Sequence, residues 1–145
     1  MSDPIRINKI SAASHGSIRN PNEYIFNEEV ALDNFLLFPS GLKIAFFGHT
    51  HVPIIYELRP DDTLTTHWMN EETKFTMDID SKYLINPGSI GQPRNGDNRS
   101  SYIVWDTKMN AIYYYKKTYN YLATQKKIYD VKLPEILAVR LEEGY

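Results

Sequence analysis

Apolar residues fall along this chain in short bursts separated by clusters of Gly, Pro, Asn and Asp. Ile44 to Phe47 is one such burst, bounded by Lys43 and Gly48. It is too short for a helix and predicts a buried strand. Ile5 to Ala13 alternates in part and predicts another, after an irregular start at residues 1–4. Further strands are expected over Ile54 to Leu58, Thr63 to Met69, Lys74 to Ile79, Tyr83 to Ile85, Ser101 to Asp106 and Ala111 to Thr118. The segments between them are turn-like, including Arg59-Pro60-Asp61-Asp62 and Asn86-Pro87-Gly88-Ser89. Helical spacing appears in Val30, Ala31, Asn34, Phe35 and Phe38. Asn27 stands where a cap belongs, Glu28 and Glu29 suit the dipole of a first turn, and Pro39-Ser40-Gly41 ends the pattern. Two more helices are predicted, Tyr121 to Tyr129 and Glu135 to Glu143, parted by Lys132-Leu133-Pro134 and closed by Gly144.

Strands therefore outnumber the three helices. The early strand–helix–strand succession is a βαβ-like unit, and the later hairpins suggest antiparallel sheet added to it, an α+β or α/β chain. There is no repeat, low-complexity segment or linker, so residues 1–145 read as a single domain. A domain of this length buries roughly 68–70% of its unfolded surface, enough for a core.

Composition narrows the chemistry. A net charge of −2 gives no field that would favour nucleic acid. No apolar run is long enough to span a membrane, and no signal peptide is evident. With no cysteine, disulfides and thiolate metal sites are excluded, which is compatible with a cytoplasmic location. Any metal must rely on imidazole, carboxylate and amide groups. The tyrosines cluster late, around Tyr113 to Tyr115 and Tyr119 to Tyr129, and read as strand faces and helix packing rather than a base-stacking platform.

The central apolar run leads into Gly48-His49-Thr50-His51-Val52-Pro53. If the backbone stays extended there, His49 and His51 face one side and Thr50 the other. A His-x-His pair alone is a weak signal, but Ser14-His15-Gly16-Ser17 ends the first strand in the same manner. Two strand ends that each place His next to Gly suit one site at the carboxyl edge of a sheet. His67, on a hairpin with no metal-like partner nearby in the sequence, is left out of that site.

His15-Gly16-Ser17, Gly48-His49-Thr50-His51, Asn86-Pro87-Gly88-Ser89-Ile90-Gly91-Gln92-Pro93-Arg94 and the tail from Leu133-Pro134 to Gly144 occur in an ordered series. That series resembles the calcineurin-like metallophosphoesterases, most of all their small bacterial and archaeal phosphodiesterase branch. The resemblance implies a four-layered α/β/β/α sandwich with a site for two divalent metals, of which Mn, Fe, Ni and Zn are candidates. It implies that His15 and His49 are ligands of one metal and His51 of the other. The family's Asp-x-His, Gly-Asp-x-x-Asp and Gly-Asn-His motifs have no counterpart here; Gly96-Asp97-Asn98-Arg99-Ser100 lacks the second Asp. The chain is thus expected to be the carboxyl-terminal half of such a domain, without catalytic residues of its own. Three neutral imidazoles carry no charge to hold two dications together, so at most one weakly bound metal and little activity are expected. Arg94 and Arg99, on a glycine-containing loop, could grip a substrate phosphate or be solvated loop charges, and Asn86 could line the pocket or merely start a turn. Expected partners are a phosphate ester and the missing amino-terminal segment or a separate chain carrying it, with homo-oligomerisation open. The alternative is a non-catalytic protein-binding module on the same scaffold.

Overall fold

The computed structural model describes residues 4–145, so the irregular start falls, apart from Pro4, outside the described residues. Among the described residues the chain forms β1 (Ile5–Arg6), β2 (Ser11–Ala13), α1 (Glu28–Leu36), β3 (Ile44–Phe46), β4 (Ile54–Leu58), β5 (Leu64–Trp68), β6 (Thr73–Thr76), β7 (Lys82–Asn86), β8 (Ser100–Asp106), β9 (Ala111–Lys117), α2 (Tyr121–Asp130) and α3 (Ile136–Glu143). The strands make a six-stranded sheet in the order β1-β2-β3-β7-β4-β5 and a three-stranded sheet in the order β6-β9-β8. Strands β2, β3 and β7 are parallel neighbours, joined by α1 and by the β4–β5 hairpin with β6, while β4 and β5 extend the sheet antiparallel.

Both faces of the large sheet are covered, which is why its central strands read as unbroken apolar runs. On one face Ala31 and Phe35 of α1 pack with Ala45, Ile54, Tyr56 and Leu84. On the other, Ile44, Ile55, Tyr83 and Ile85 meet Ile112 and Tyr114 of β9. Alternation along β4 divides Ile54 and Tyr56 from Ile55, as the period of a strand requires. The Asn27 side chain accepts the N–H of Val30 at 2.9 Å and caps α1 as the sequence indicates. Helices α2 and α3 pack on each other, and Gln125 donates to the Ala138 carbonyl at 2.9 Å.

Two expected strands are shorter than their patterns. Residues Ile5 to Ala13 form β1 and β2 with a turn between them, because the Asn8 side chain accepts from the N–H groups of Ile10 and Ser11. The strand expected over Lys74 to Ile79 ends at Thr76, where the chain turns away towards β7.

The loop from Gly91 to Arg99 is pinned rather than free. Asp97 binds Arg99 and the buried Lys116, each at 2.6 Å, and Lys116 also donates to the Asn70 carbonyl. Gly96 donates to the Gly144 carbonyl at 2.8 Å, and Asn98 to that of Glu142 at 3.0 Å. The loop is thereby tied both to the small sheet and to the end of α3.

Candidate metal centre

Register brings the carboxyl ends of β2, β3 and β7 level: Ala13 is paired with Phe46, and Phe46 with Ile85. The loops that leave these three ends carry His15, then His49 and His51, then Asn86 to Arg94. They are bonded to one another. Ser14 donates to the Phe46 carbonyl at 3.0 Å and Gly48 to that of His15 at 2.9 Å. Gly16 has no room for a side chain, since a Cβ there would lie 2.5 Å from the Glu23 carbonyl oxygen. Asn34 of α1 accepts from the Ile18 N–H at 3.1 Å and steadies the loop after His15.

The backbone through the histidines is not the extended strand expected from the sequence. Strand β3 ends at Phe46, and His49 and His51 adopt left-handed conformations with φ of 64° and 60°. A short hydrogen bond from Thr50 N–H to the Gly48 carbonyl, 2.7 Å, folds the chain tightly at this point. Thr50 is buried, and its hydroxyl accepts from Asn86 at 2.8 Å. Asn86 also donates to the Gly48 carbonyl at 3.0 Å and accepts from Gly88 N–H at 2.9 Å. Its side chain is fully buried, and what it touches is the histidine loop.

The His15 and His49 rings stand 4.7 Å apart between centroids, their planes inclined by 59°. They face a cleft of about 410 Å³ that His51, Gly88 and Ser89 also line. Nδ1 of His51 lies 2.7 Å from the Gln92 carbonyl oxygen. A carbonyl only accepts, so Nδ1 carries the proton and Nε2 keeps its lone pair, the arrangement a metal-binding imidazole needs. Burial, and then the proximity of His15, push the His49 imidazole below its ordinary pKa despite the Asn22 carbonyl. Burial does the same to His51, with Arg94 adding to it against the pull of Gln92. Both rings are therefore neutral near pH 7.

Arg94 is half-buried beside His51; one guanidinium nitrogen donates to the Gln92 side chain at 2.9 Å, and its buried Nε has no partner among the described residues. Arg99 lies instead in the Asp97 and Glu71 ion pairs of the pinned loop. His67 is bound to Glu57 at 2.9 Å, away from the cleft. Two contributors had no sequence signal: the Gln92 carbonyl, a backbone group, and Tyr24, whose ring stacks on His49 with centroids 3.8 Å apart. Tyr24 reads in sequence only as a loop residue.

Neutral imidazoles suit a divalent transition metal. Among the described residues no group of three or more His, Asp or Glu side chains is placed to hold a cation. The donors are right in kind but too few and short of negative charge, so the described residues do not by themselves complete a metal centre.

The fold of this chain is shared by a solved structure. The crystal structure of a metallophosphoesterase from Sphaerobacter thermophilus superposes with a TM-score of 0.86 and 33% identity, covering 100% of this chain and 59% of that one. This chain has a calcineurin-like metallophosphoesterase fold. A hypothetical protein from Pyrococcus horikoshii is similar to this chain at the level of fold alone, with a TM-score of 0.63 and 16% identity over 93% of this chain and 46% of that one. In sequence, an uncharacterized protein of Methanocaldococcus jannaschii is 38% identical over 133 residues, 90% of this chain. The chain spans about half the length of that relative, 50%. No family model matches the sequence.

Proposed function

We propose that this chain supplies the histidine side of a metal-dependent phosphoesterase centre that hydrolyses a phosphodiester or a phosphomonoester. The observation that carries the reading is the meeting of His15 and His49 at the ends of adjacent parallel strands, with the Nε2 lone pair of His51 freed by the Gln92 carbonyl. His15 and His49 would hold one divalent metal and His51 would serve a second, with Mn, Fe, Ni and Zn all compatible with imidazole. When bound, such a pair lowers the pKa of a coordinated water and offsets charge on phosphoryl oxygens. Arg94, whose charge is felt by His51, would bind a phosphate oxygen through its guanidinium and orient the ester. Gln92 and Asn86 hold the loops in register. The carboxylates that two dications require are placed, in this reading, on polypeptide outside this sequence, and the chain alone has little hydrolytic activity.

A chimera tests this. This chain would replace the matching 59% of the Sphaerobacter metallophosphoesterase. The folded chimera is expected to hydrolyse bis(p-nitrophenyl) phosphate in a metal-dependent way and to lose at least about a hundredfold in rate on His49→Gln, a loss typical of weakened metal ligation. A folded chimera whose rate is indifferent to His49→Gln would refute the assignment.

A further inference from the structure

The His49 ring has close neighbours on more than one side. His15 meets it at 4.7 Å between centroids, and Tyr24 lies nearly flat against it at 3.8 Å, the planes 21° apart. The Asn22 carbonyl comes near enough to oppose the fall in the imidazole's pKa. Tyr24 is backed in turn by Phe26, with centroids 5.0 Å apart and planes 5° apart. A second ring this near and this parallel needs the other face of Tyr24, so both its faces are taken. The segment that carries Asn22 and Tyr24 is itself fixed. The N–H groups of Ser17 and Glu23 donate to the Asn20 carbonyl at 3.1 and 3.0 Å, and Arg19 binds the Glu23 carboxylate. Gly16 leaves space for the Pro21 and Glu23 carbonyl oxygens, which a Cβ would meet at 2.6 and 2.5 Å.

An imidazole with nothing against its faces turns about its outer side-chain bond and exchanges the places of its two nitrogens. Turned in that way, His49 would offer the cleft the other nitrogen. A carbonyl only accepts, so Asn22 favours the ring with its N–H on that side. The flat contact with Tyr24 stops the ring from tilting out of this orientation. With both faces occupied, Tyr24 has no ring surface left for a substrate. We infer that Tyr24 is a positioning residue, which fixes the orientation and tautomer of His49 so that its bare nitrogen faces the histidine cleft. The use of that nitrogen in catalysis rests on the phosphoester reading; the fixed ring does not.

Nitrogen-15 NMR of the imidazoles in the full chain reads the tautomer directly, at a pH of about 8 where histidine is ordinarily neutral. A single tautomer gives one protonated and one bare nitrogen signal; a released ring that exchanges tautomers gives two averaged ones. His49 is expected to show a single tautomer in the parent chain and in Tyr24→Phe, which keeps the stacking ring, and averaged signals in Tyr24→Leu. His51 and His67, bound to Gln92 and Glu57, are expected to stay unchanged throughout, which also reports that the variants are folded. In the chimera, Tyr24→Leu is expected to lower the rate about tenfold and Tyr24→Phe to leave it near the parent's, as for other groups that orient a metal ligand. An averaged His49 in the parent, a single tautomer that survives Tyr24→Leu, or a change that spreads to His51 and His67 would each overturn the positioning role. A His49 tautomer that depends on Tyr24, alongside a chimera whose rate ignores His49→Gln, would uphold that role and reject the phosphoester reading.

Discussion

His49 and His51 hold the left-handed backbone region, which costs a residue with a Cβ roughly 1–2 kcal/mol and costs glycine little. His51→Gly is therefore expected to be more stable than His51→Ala by about 1 kcal/mol. Both variants lose the same contact to Gln92, so the difference isolates the backbone. Urea midpoints measure it, and equal midpoints would mean that His51 is not strained. Asp97 is the other residue with a clear energetic signature. The Arg99 guanidinium holds its carboxyl well below the usual carboxylate range, against the opposing effect of burial and with help from Lys116. A depressed pKa stabilises the fold fully above the unfolded value of about 3.9 and loses that contribution as pH falls towards the folded value. Asp97→Asn should cost about 2 kcal/mol at pH 7, less than a fully buried pair because water reaches Asp97. It should also flatten the fall in stability below about pH 4. Thermal melts across that range would contradict this if mutant and parent kept parallel profiles.

At the scale of elements, the cap on α1 was legible because Asn27 acts on its own neighbours. Asn27→Ala is expected to lower stability by about 1 kcal/mol, read as a shift in denaturation midpoint without a change in slope. The strands were legible for the same reason, each carrying its own alternation. Their division between two sheets was not, since β5 and β6 have similar patterns and their partners, β4 and β9, are chosen by packing far along the chain. The histidine loop shows a sharper limit. Its residues named the chemistry, yet the turn uses left-handed histidines where the expected markers would be Gly or Asn, so the sequence suggested an extended strand. Asn86 and Arg99, which the sequence left open between substrate contact and loop structure, bond to the histidine loop and to Asp97. Such partners are long-range and leave no local trace.

At the scale of the molecule, a metallophosphoesterase fold brings three imidazoles to one cleft at the carboxyl ends of parallel strands. No helix among the described residues is long and apolar enough to cross a membrane. What unites the account is the proposal that His15, His49 and His51, which line one cleft, belong to one metal centre. The most direct measurement is a zinc titration followed by the NMR signals of the four imidazoles, with His67, engaged by Glu57, as the control. The account predicts that His15, His49 and His51 shift together, weakly and at no more than one zinc per chain, while His67 stays still. Independent shifts of the three, or a response no different from that of His67, would contradict it.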